Sequence, residues 1–481
     1  MDHPLGGKTS IAIGVMFVLL AVPYASSKLA RYRITPVPWE KTEQTAEAPP
    51  VVAAPVLAQG ETSLKASTNE ATVTNALPDN PNAQGADPVD AKVLAKTKGS
   101  LAIEDPTNKA LDAFYMRLAK TKKKEGGAVT RILHYGDSVI TSDYVSGTMR
   151  RKMQAEFGDA GHGYMNCAKG WDWYFHNDVV QGNSEGWSSS RITGPLTKDG
   201  AYGIGGVTFT GSPGATTWFG TSASAQSTYG KKVSRFDVYY METPNGGELE
   251  AKIGSTSEKF STKGESKASK IKSISTADGE AKMTLKVVSG NPRVFGVALE
   301  RDQPGVVYDA LGANGGRGEL LANMDGAHWK EQMDLRDPAL VILHYGTNES
   351  EVGVASDADY EKKLRALVDK LKAAAPKASI LILAPLDRAE NNPNGQGMRT
   401  KPVIKKLVNL QKKVAGEAQV GFWNTFEAMG GDGSMATWVK KGLAGGDMTH
   451  PSPQGAEIIG DLFYKALTAG FEAYVANKGG G

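Results

Sequence analysis

The sequence predicts an α/β fold built on a parallel sheet and interrupted by a β-rich insertion. Three observations carry this prediction. Short apolar runs alternate with amphipathic stretches over residues 128–157 and 305–475, the pattern of a parallel sheet covered on both faces. Residues 166–300 break that rhythm and are rich in Gly, Ser, Thr and aromatics. Residues 1–98 hold one apolar run and then a proline-rich stretch, neither of them globular in pattern.

The chain has 481 residues, enough for two or three domains and a large core. Lys and Arg total 55 against 52 Asp and Glu, a net charge of +3. That balance argues against nucleic acid as the main partner, because phosphate binding needs concentrated positive charge. The single cysteine, Cys167, excludes an internal disulfide framework and a Cys-based zinc cluster. No cofactor and no metal is expected. The 56 glycines follow no G-X-Y period and belong to turns and short loops.

Taken in order, residues 1–9 form a short leading segment. Lys8 and Lys28 then bracket 19 uncharged residues, a helix of about 28 Å, close to the hydrocarbon thickness of a bilayer. Residues 10–27 read as an uncleaved transmembrane signal anchor, since Pro23, Tyr24 and Ala25 offer no clean cleavage site. A cleaved signal peptide is the alternative. Lys28, Arg31 and Arg33 follow the span, so a bare charge count would place the rest of the chain in the cytoplasm. Residues 28–98 read as a disordered tether. Residues 35–98 alone contain eight prolines and have a flexible reach of about 45 Å.

Residues 128–135 read as a buried strand and residues 142–157 as a helix capped by Ser142 or Asp143. Strand patterns return at 305–308, 339–344, 379–383 and 420–423. Between them, Tyr360, Leu364, Leu367 and Leu371 give residues 359–375 a helical stripe. Pro402 opens a second such helix, bearing Val403, Leu407, Leu410 and Val414. Ser452-Pro453 opens the last one, which buries Ile458, Ile459, Leu462, Phe463 and Leu467. Residues 478–481 read as a frayed end. Within the insertion the strand candidates are 206–210, 235–241, 249–253, 281–288 and 293–299, read together as a β-sandwich. The α/β domain is therefore discontinuous, at 99–165 and 301–475.

Ligands of a parallel sheet bind beyond the carboxyl ends of its strands. Three segments there carry chemistry. In Leu133-His134-Tyr135-Gly136-Asp137-Ser138, a serine just after a strand is exposed to act as a nucleophile. Leu343-His344-Tyr345-Gly346-Thr347-Asn348 repeats the frame, and places Asn348 to donate its amide to an oxyanion beside Ser138. Asp447-Met448-Thr449-His450 sets a carboxylate three residues before a histidine, ahead of the last helix. A carboxylate orienting a histidine that deprotonates a serine is the acyl-transfer arrangement. Each piece alone has a plainer reading: a surface turn, a loop asparagine, a helix cap. Their order along the fold favours catalysis.

These residues resemble the SGNH (GDSL-type) hydrolases, over residues 100–165 and 305–474. The resemblance implies a three-layer, flavodoxin-like fold, with Ser138 as nucleophile and Asp447 and His450 completing the triad. It implies an oxyanion hole of the Ser138 and Gly315 amides with the Asn348 side chain. Gly315 comes from Leu311-Gly312-Ala313-Asn314-Gly315-Gly316, where Gly312 is the alternative; a backbone N–H approached this closely favours glycine. Asn348 is followed by Glu349 rather than the more frequent Asp, with little consequence expected. The run from Gly430-Gly431-Asp432-Gly433-Ser434-Met435 through Trp438-Val439 and Gly442-Leu443-Ala444 to Asp447 is similar to bacterial cell-envelope members. Those include peptidoglycan O-acetylesterases, several with a carbohydrate-binding-module-like β-sandwich inserted at the same place.

The resemblance implies a periplasmic serine esterase, anchored in the inner membrane, that removes O-acetyl groups from cell-wall polysaccharide, with no nucleic-acid partner. A polysaccharide O-acetyltransferase with the same triad and a non-catalytic glycan-binding protein are the alternatives. Other chemistry-bearing residues get plainer readings. His134 and His344 are read as packing groups at strand ends. Trp171, Trp173, Tyr174 and Phe175 are read as core or interface, although such rings also stack on sugars. Cys167 is read as a buried thiol, and residues 122–124 as a solvated helix end.

Overall fold

The computed structural model describes residues 101–479, apart from 223, 225, 226, 354, 355 and 396. The anchor and tether read at residues 10–98 lie outside these. No helix among the described residues is long and apolar enough to cross a membrane.

The chain opens with α1 (Asp112–Lys122), β1 (Val129–Gly136), a four-residue helix α2 (Ser138–Thr141) and α3 (Tyr144–Phe157). Twelve further strands follow before the next helix. They are β2 (Gly163–Asn166), β3 (Val179–Asn183), β4 (Trp187–Arg191), β5 (Val207–Gly211), β6 (Thr216–Thr221) and β7 (Val233–Glu242). After them come β8 (Glu248–Ile253), β9 (Thr256–Ser261), β10 (Ala268–Gly279), β11 (Lys282–Ser289), β12 (Arg293–Glu300) and β13 (Gly305–Gly312). The remainder alternates: α4 (Gly326–Arg336), β14 (Leu340–His344), α5 (Glu349–Val352), α6 (Asp357–Ala374), β15 (Ser379–Leu383), and a small hairpin of β16 (Ala389–Asn391) with β17 (Met398–Thr400). Last are α7 (Pro402–Ala418), β18 (Gly421–Trp423), α8 (Thr425–Ala428), α9 (Ser434–Lys440) and α10 (Pro453–Gly479).

Five strands form one parallel sheet in the order β13-β1-β14-β15-β18. Its strands are apolar on both faces, as a doubly covered sheet requires. Leu133, Val341, Leu343 and Ile382 pack under Trp329 of α4, Leu367 of α6 and Ile404 of α7. On the other face Ile132, Tyr308, Ile342 and Leu383 pack under Phe114 of α1, Met149 of α3 and Phe463 of α10. The result is three layers, with the order of the central strands fixing what meets at their carboxyl ends. β1 lies between β13 and β14, so the loops after Gly136, Gly312 and His344 converge there.

The segment between α3 and β13 forms two antiparallel sheets, β10-β7-β12-β5-β4 with β2 on β12, and β3-β6-β11-β8-β9. One apolar core lies between them, with Phe209, Phe236 and Val297 from the first and Phe219, Leu249 and Leu285 from the second. The first sheet turns its other side to the α/β layer. Tyr164, Tyr202, Tyr239 and Phe295 share a core with Trp329 and Met333 of α4. A buried ionic network crosses the same boundary. Arg336 grips both oxygens of Asp309 on β13 at 2.7 Å and reaches Glu300 at the end of β12 at 2.5 Å. Arg131 of β1 meets the second Glu300 oxygen at 2.8 Å. Burial alone would raise the Glu300 carboxyl, but the two guanidinium groups overcome it and hold it at about 2.

The five strands expected in this segment all form, within two residues at either end. Of the strands not anticipated, β3, β4, β9 and β10 stand at sheet edges, whereas β2 is a short buried strand and β6 lies inside its sheet. β9 is exposed along nearly its whole length, β4 reads Trp-Ser-Ser-Ser-Arg, and β10 carries lysines on its outer face. A strand with little buried surface gives no period-2 hydrophobic signal. The helix expected at 142–157 begins two residues later, at Tyr144, because Asp143 has a positive φ of 54° and separates α3 from α2. Neither Ser142 nor Asp143 caps α3 through its side chain. Asp143 is instead buried against Arg150, with two contacts of 2.9 Å. The helix 359–375 begins two residues early, at Asp357, because Ser356 accepts the Asp359 N–H. α10 runs through Gly479, beyond the expected limit at 475.

Candidate active site

Gly136 ends β1 where no side chain fits: a Cβ there would stand 2.4 Å from Ile140. The chain turns at once into α2, with Ser138 as its first residue and Asp137 as cap, accepting the Val139 N–H at 3.1 Å. Asp137 is buried, which raises its carboxyl, while the Val139 amide and the Thr347 hydroxyl partly offset the rise. The turn thus ties β1 to the loop after β14.

The Ser138 Oγ lies 2.9 Å from the His450 Nε2. The His450 Nδ1 lies 2.6 Å from the Asp447 Oδ2. The other Asp447 oxygen accepts the backbone N–H groups of Thr449 at 3.0 Å and His450 at 3.1 Å. Burial would raise this carboxyl, but the bonds from His450 and Thr449 hold it at about 2, so it is ionised across the neutral range. The Gly445 N–H donates to the His450 carbonyl at 2.8 Å, closing the loop on itself. The Asp447 and His450 side chains are 45% and 47% exposed, so the three residues lie at an open surface and not in a closed cavity.

Asn348 follows β14. One of its amide hydrogens goes to the Gly316 carbonyl at 2.8 Å, and an amide carries two. Gly315 has a φ of +70° and nothing within 4 Å of where a Cβ would stand. Gly312 is different. It is buried, and a Cβ there would meet the Thr141 nitrogen at 2.1 Å, so this glycine serves the packing of β13 against α2. Of the two glycines, Gly315 is the one on the open side of the loop.

Two further residues hold these loops, and sequence reasoning assigned neither. Glu349 is buried and accepts the Gly318 N–H at 2.9 Å, pinning the Gly315–Gly318 loop to the start of α5. Burial pushes its carboxyl up to about 7. Below it lies a cavity of about 230 Å³ lined by Leu343, Tyr345, Tyr360, Ile382 and Gln411, which neither Ser138 nor His450 reaches. Arg388 donates from Nε to the Thr449 hydroxyl at 3.1 Å, and from Nη1 to the Thr347 carbonyl at 2.9 Å and the Ser350 hydroxyl at 2.8 Å. One guanidinium therefore joins the residue before Asn348 to the residue before His450. The visible signal for it is the charged pair Asp387-Arg388 soon after the apolar strand β15.

The discounted residues fall as follows. His134 is buried, bonds the Tyr308 hydroxyl at 2.8 Å and stacks on His344 at 5.5 Å. Burial lowers both imidazoles, His344 to about 4, so neither carries charge at neutral pH. Cys167 is buried and its thiol is pushed up by burial. Tyr174 is core, whereas Trp173 and Phe175 are exposed, contrary to their reading as core or interface. Asp143, His162 and His176 bring possible ligand atoms within 4.8 Å of one another. The Arg150 guanidinium already occupies both Asp143 oxygens, and a fixed cation there disfavours a metal ion.

Residues 275–458 match the model of the GDSL-like lipase/acylhydrolase family. The chain carries a domain of that family and is an ester-hydrolysing enzyme. The matched residues include Gly315, Asn348, Asp447 and His450; Ser138 precedes them, on the far side of the insertion. No curated protein matches the chain in sequence. A solved peptidoglycan O-acetylesterase shares the fold over 77% of this chain and 99% of its own, with a TM-score of 0.66 and 21% identity. A family two carbohydrate esterase from Cellvibrio japonicus aligns over 61% and 98% of the two chains at 12% identity, with a TM-score of only 0.25. An acetyl xylan esterase aligns over 34% and 80% at 17% identity and 0.26. The last two scores are too low to carry an argument.

Proposed function

We propose that the protein is a serine esterase that removes O-acetyl groups from cell-envelope polysaccharide, peptidoglycan above all. The observation that carries this reading is the continuous hydrogen-bonded line from Ser138 through His450 to Asp447 at 2.9 and 2.6 Å. His450 takes the Ser138 proton as the hydroxyl oxygen attacks the acetyl carbonyl carbon. Asp447, ionised, holds the imidazole in the tautomer whose Nε2 accepts. The tetrahedral oxyanion sits among the Ser138 and Gly315 amides and the Asn348 side chain. It collapses as the sugar oxygen leaves, protonated by His450. Water, deprotonated by the same histidine, then attacks acetyl-Ser138 and releases acetate.

The polymeric substrate is supported by the open setting of the triad and by the fold shared with a peptidoglycan O-acetylesterase along most of the chain. On this reading residues 166–300 are an inserted β-sandwich resembling a carbohydrate-binding module. Residues 10–27 anchor the enzyme in the inner membrane, and residues 28–98 carry it into the periplasm. The Ser138→Ala variant tests the triad. Its turnover of an aryl acetate is expected to fall by at least about 10,000-fold, and turnover equal to wild type would sink the reading.

A further inference from the structure

We propose that Trp173 and Phe175 form a stacking platform for a pyranose ring of the substrate's glycan strand, beside the Ser138 turn. The proposal rests on the reading of the protein as an esterase of acetylated polysaccharide. Trp173 is 51% exposed and Phe175 38%, and among the described residues no other Trp or Phe is exposed. Both fall in one short segment. An exposed tryptophan and phenylalanine two residues apart keep a costly apolar surface in water, which marks a binding surface.

The segment is anchored and not loose. Tyr174, between the two rings, is buried, and its hydroxyl accepts the Asn166 N–H at 2.7 Å and bonds the His176 Nε2 at 2.8 Å. With residue 174 turned inward, its neighbours are presented outward. The segment is also tied to the nucleophile turn. The Phe175 N–H donates to the Thr141 carbonyl at 3.2 Å. Asn177 donates its backbone N–H to the Asp143 carboxylate at 2.8 Å and its side-chain amide to the Asp143 carbonyl at 2.6 Å. Arg150 in turn fixes that carboxylate. Thr141 stands three residues along α2 from Ser138, so the Phe175 backbone lies within roughly 10 Å of the nucleophile.

The chemistry fits a sugar. A pyranose has an apolar face of C–H bonds rimmed by hydroxyls, and an aromatic ring covers that face while leaving the rim to water. The Lys169 ammonium stands 5.7 Å from the Phe175 centroid and takes one side of that ring. The other side of the Phe175 ring is left for a sugar. Because the platform belongs to the inserted segment and the serine to the sheet, a glycan strand would bridge the two.

The test uses the full chain carrying Ser138→Ala, with and without Trp173→Ala and Phe175→Ala. Binding to soluble, de-O-acetylated peptidoglycan strands is measured by calorimetry. The added pair is expected to weaken Kd by at least ~10-fold. Met116→Ala, another exposed apolar residue, is expected to leave Kd unchanged. In the active enzyme, the pair should raise KM for acetylated peptidoglycan by at least ~10-fold more than KM for an aryl acetate. Equal Kd with and without the rings overturns the platform, whatever the fate of the esterase reading. So does a wild-type dimer that the pair dissolves, since the rings would then be covered by a second copy. Loss of acetate release in wild type would overturn the esterase reading, and the binding comparison would still decide the platform.

Discussion

Ser138, Asp447 and His450 are legible in the sequence because each sits in a short motif whose spacing has a chemical meaning. Asn348 stands in such a motif too, and its role as an oxyanion donor, part of the proposed function, gives a graded prediction. Asn348→Ala should lower kcat by about 100–1,000-fold with little change in KM, as loss of one oxyanion donor does. A KM effect alone would place the residue in substrate binding instead. Glu349 is not legible, because nothing local says that its carboxylate reaches Gly318. Its carboxyl rises from an ordinary 4.5 to about 7, so the folded state holds this proton more tightly than the unfolded state. Stability contributed by the protonated form is therefore complete below about 4.5 and declines as pH rises towards 7. Glu349→Gln keeps an oxygen for Gly318 and should flatten that part of the stability curve in urea titrations between pH 4.5 and 7.5. An unchanged slope would mean the carboxyl titrates normally.

The site is an agreement among loops that leave neighbouring strands, and Arg388 is the side chain that spans them. It holds Thr347, Ser350 and Thr449 together, so it positions Asn348 against His450 without touching the reacting atoms. Arg388→Ala should lower kcat by about 10–100-fold, the cost of displacing groups by a fraction of an ångström, while KM stays near wild type. Added guanidinium should restore part of the loss. A fall in thermal stability with kcat intact would make the residue merely structural. The sequence could show the strand before Arg388 but not its three acceptors, because those meet only after the sheet has formed. The same reasoning applies to the elements. Buried strands announce themselves by unbroken apolar runs, whereas β3, β4, β9 and β10 bury too little to do so. The break at Asp143 was hidden because it follows from the buried Arg150 and Asn177 contacts, not from any local helix signal.

At the scale of the molecule, the two β-sheets of the inserted segment are not an appendage. They share a core with α4, and Arg336 joins Asp309 of the parallel sheet to Glu300 of β12 in full burial. Removing one partner of such a network strands buried charge. Arg336→Met should cost about 3–5 kcal/mol in urea unfolding, and wild type should unfold in a single transition over residues 101–479. Two separate transitions would show the segments to be energetically independent. This coupling joins the inserted segment to the sheet that carries the Ser138 turn, and on the proposed function it would set a surface for polymer beside the esterase site. The most direct test is to incubate the full chain, and its Ser138→Ala variant, with O-acetylated peptidoglycan in the presence of an added acceptor glycan, and to quantify free acetate and acetylated acceptor. The account predicts acetate release by wild type, far less by the variant, and little acetylated acceptor. Equal release by both proteins, or transfer exceeding release, would contradict it.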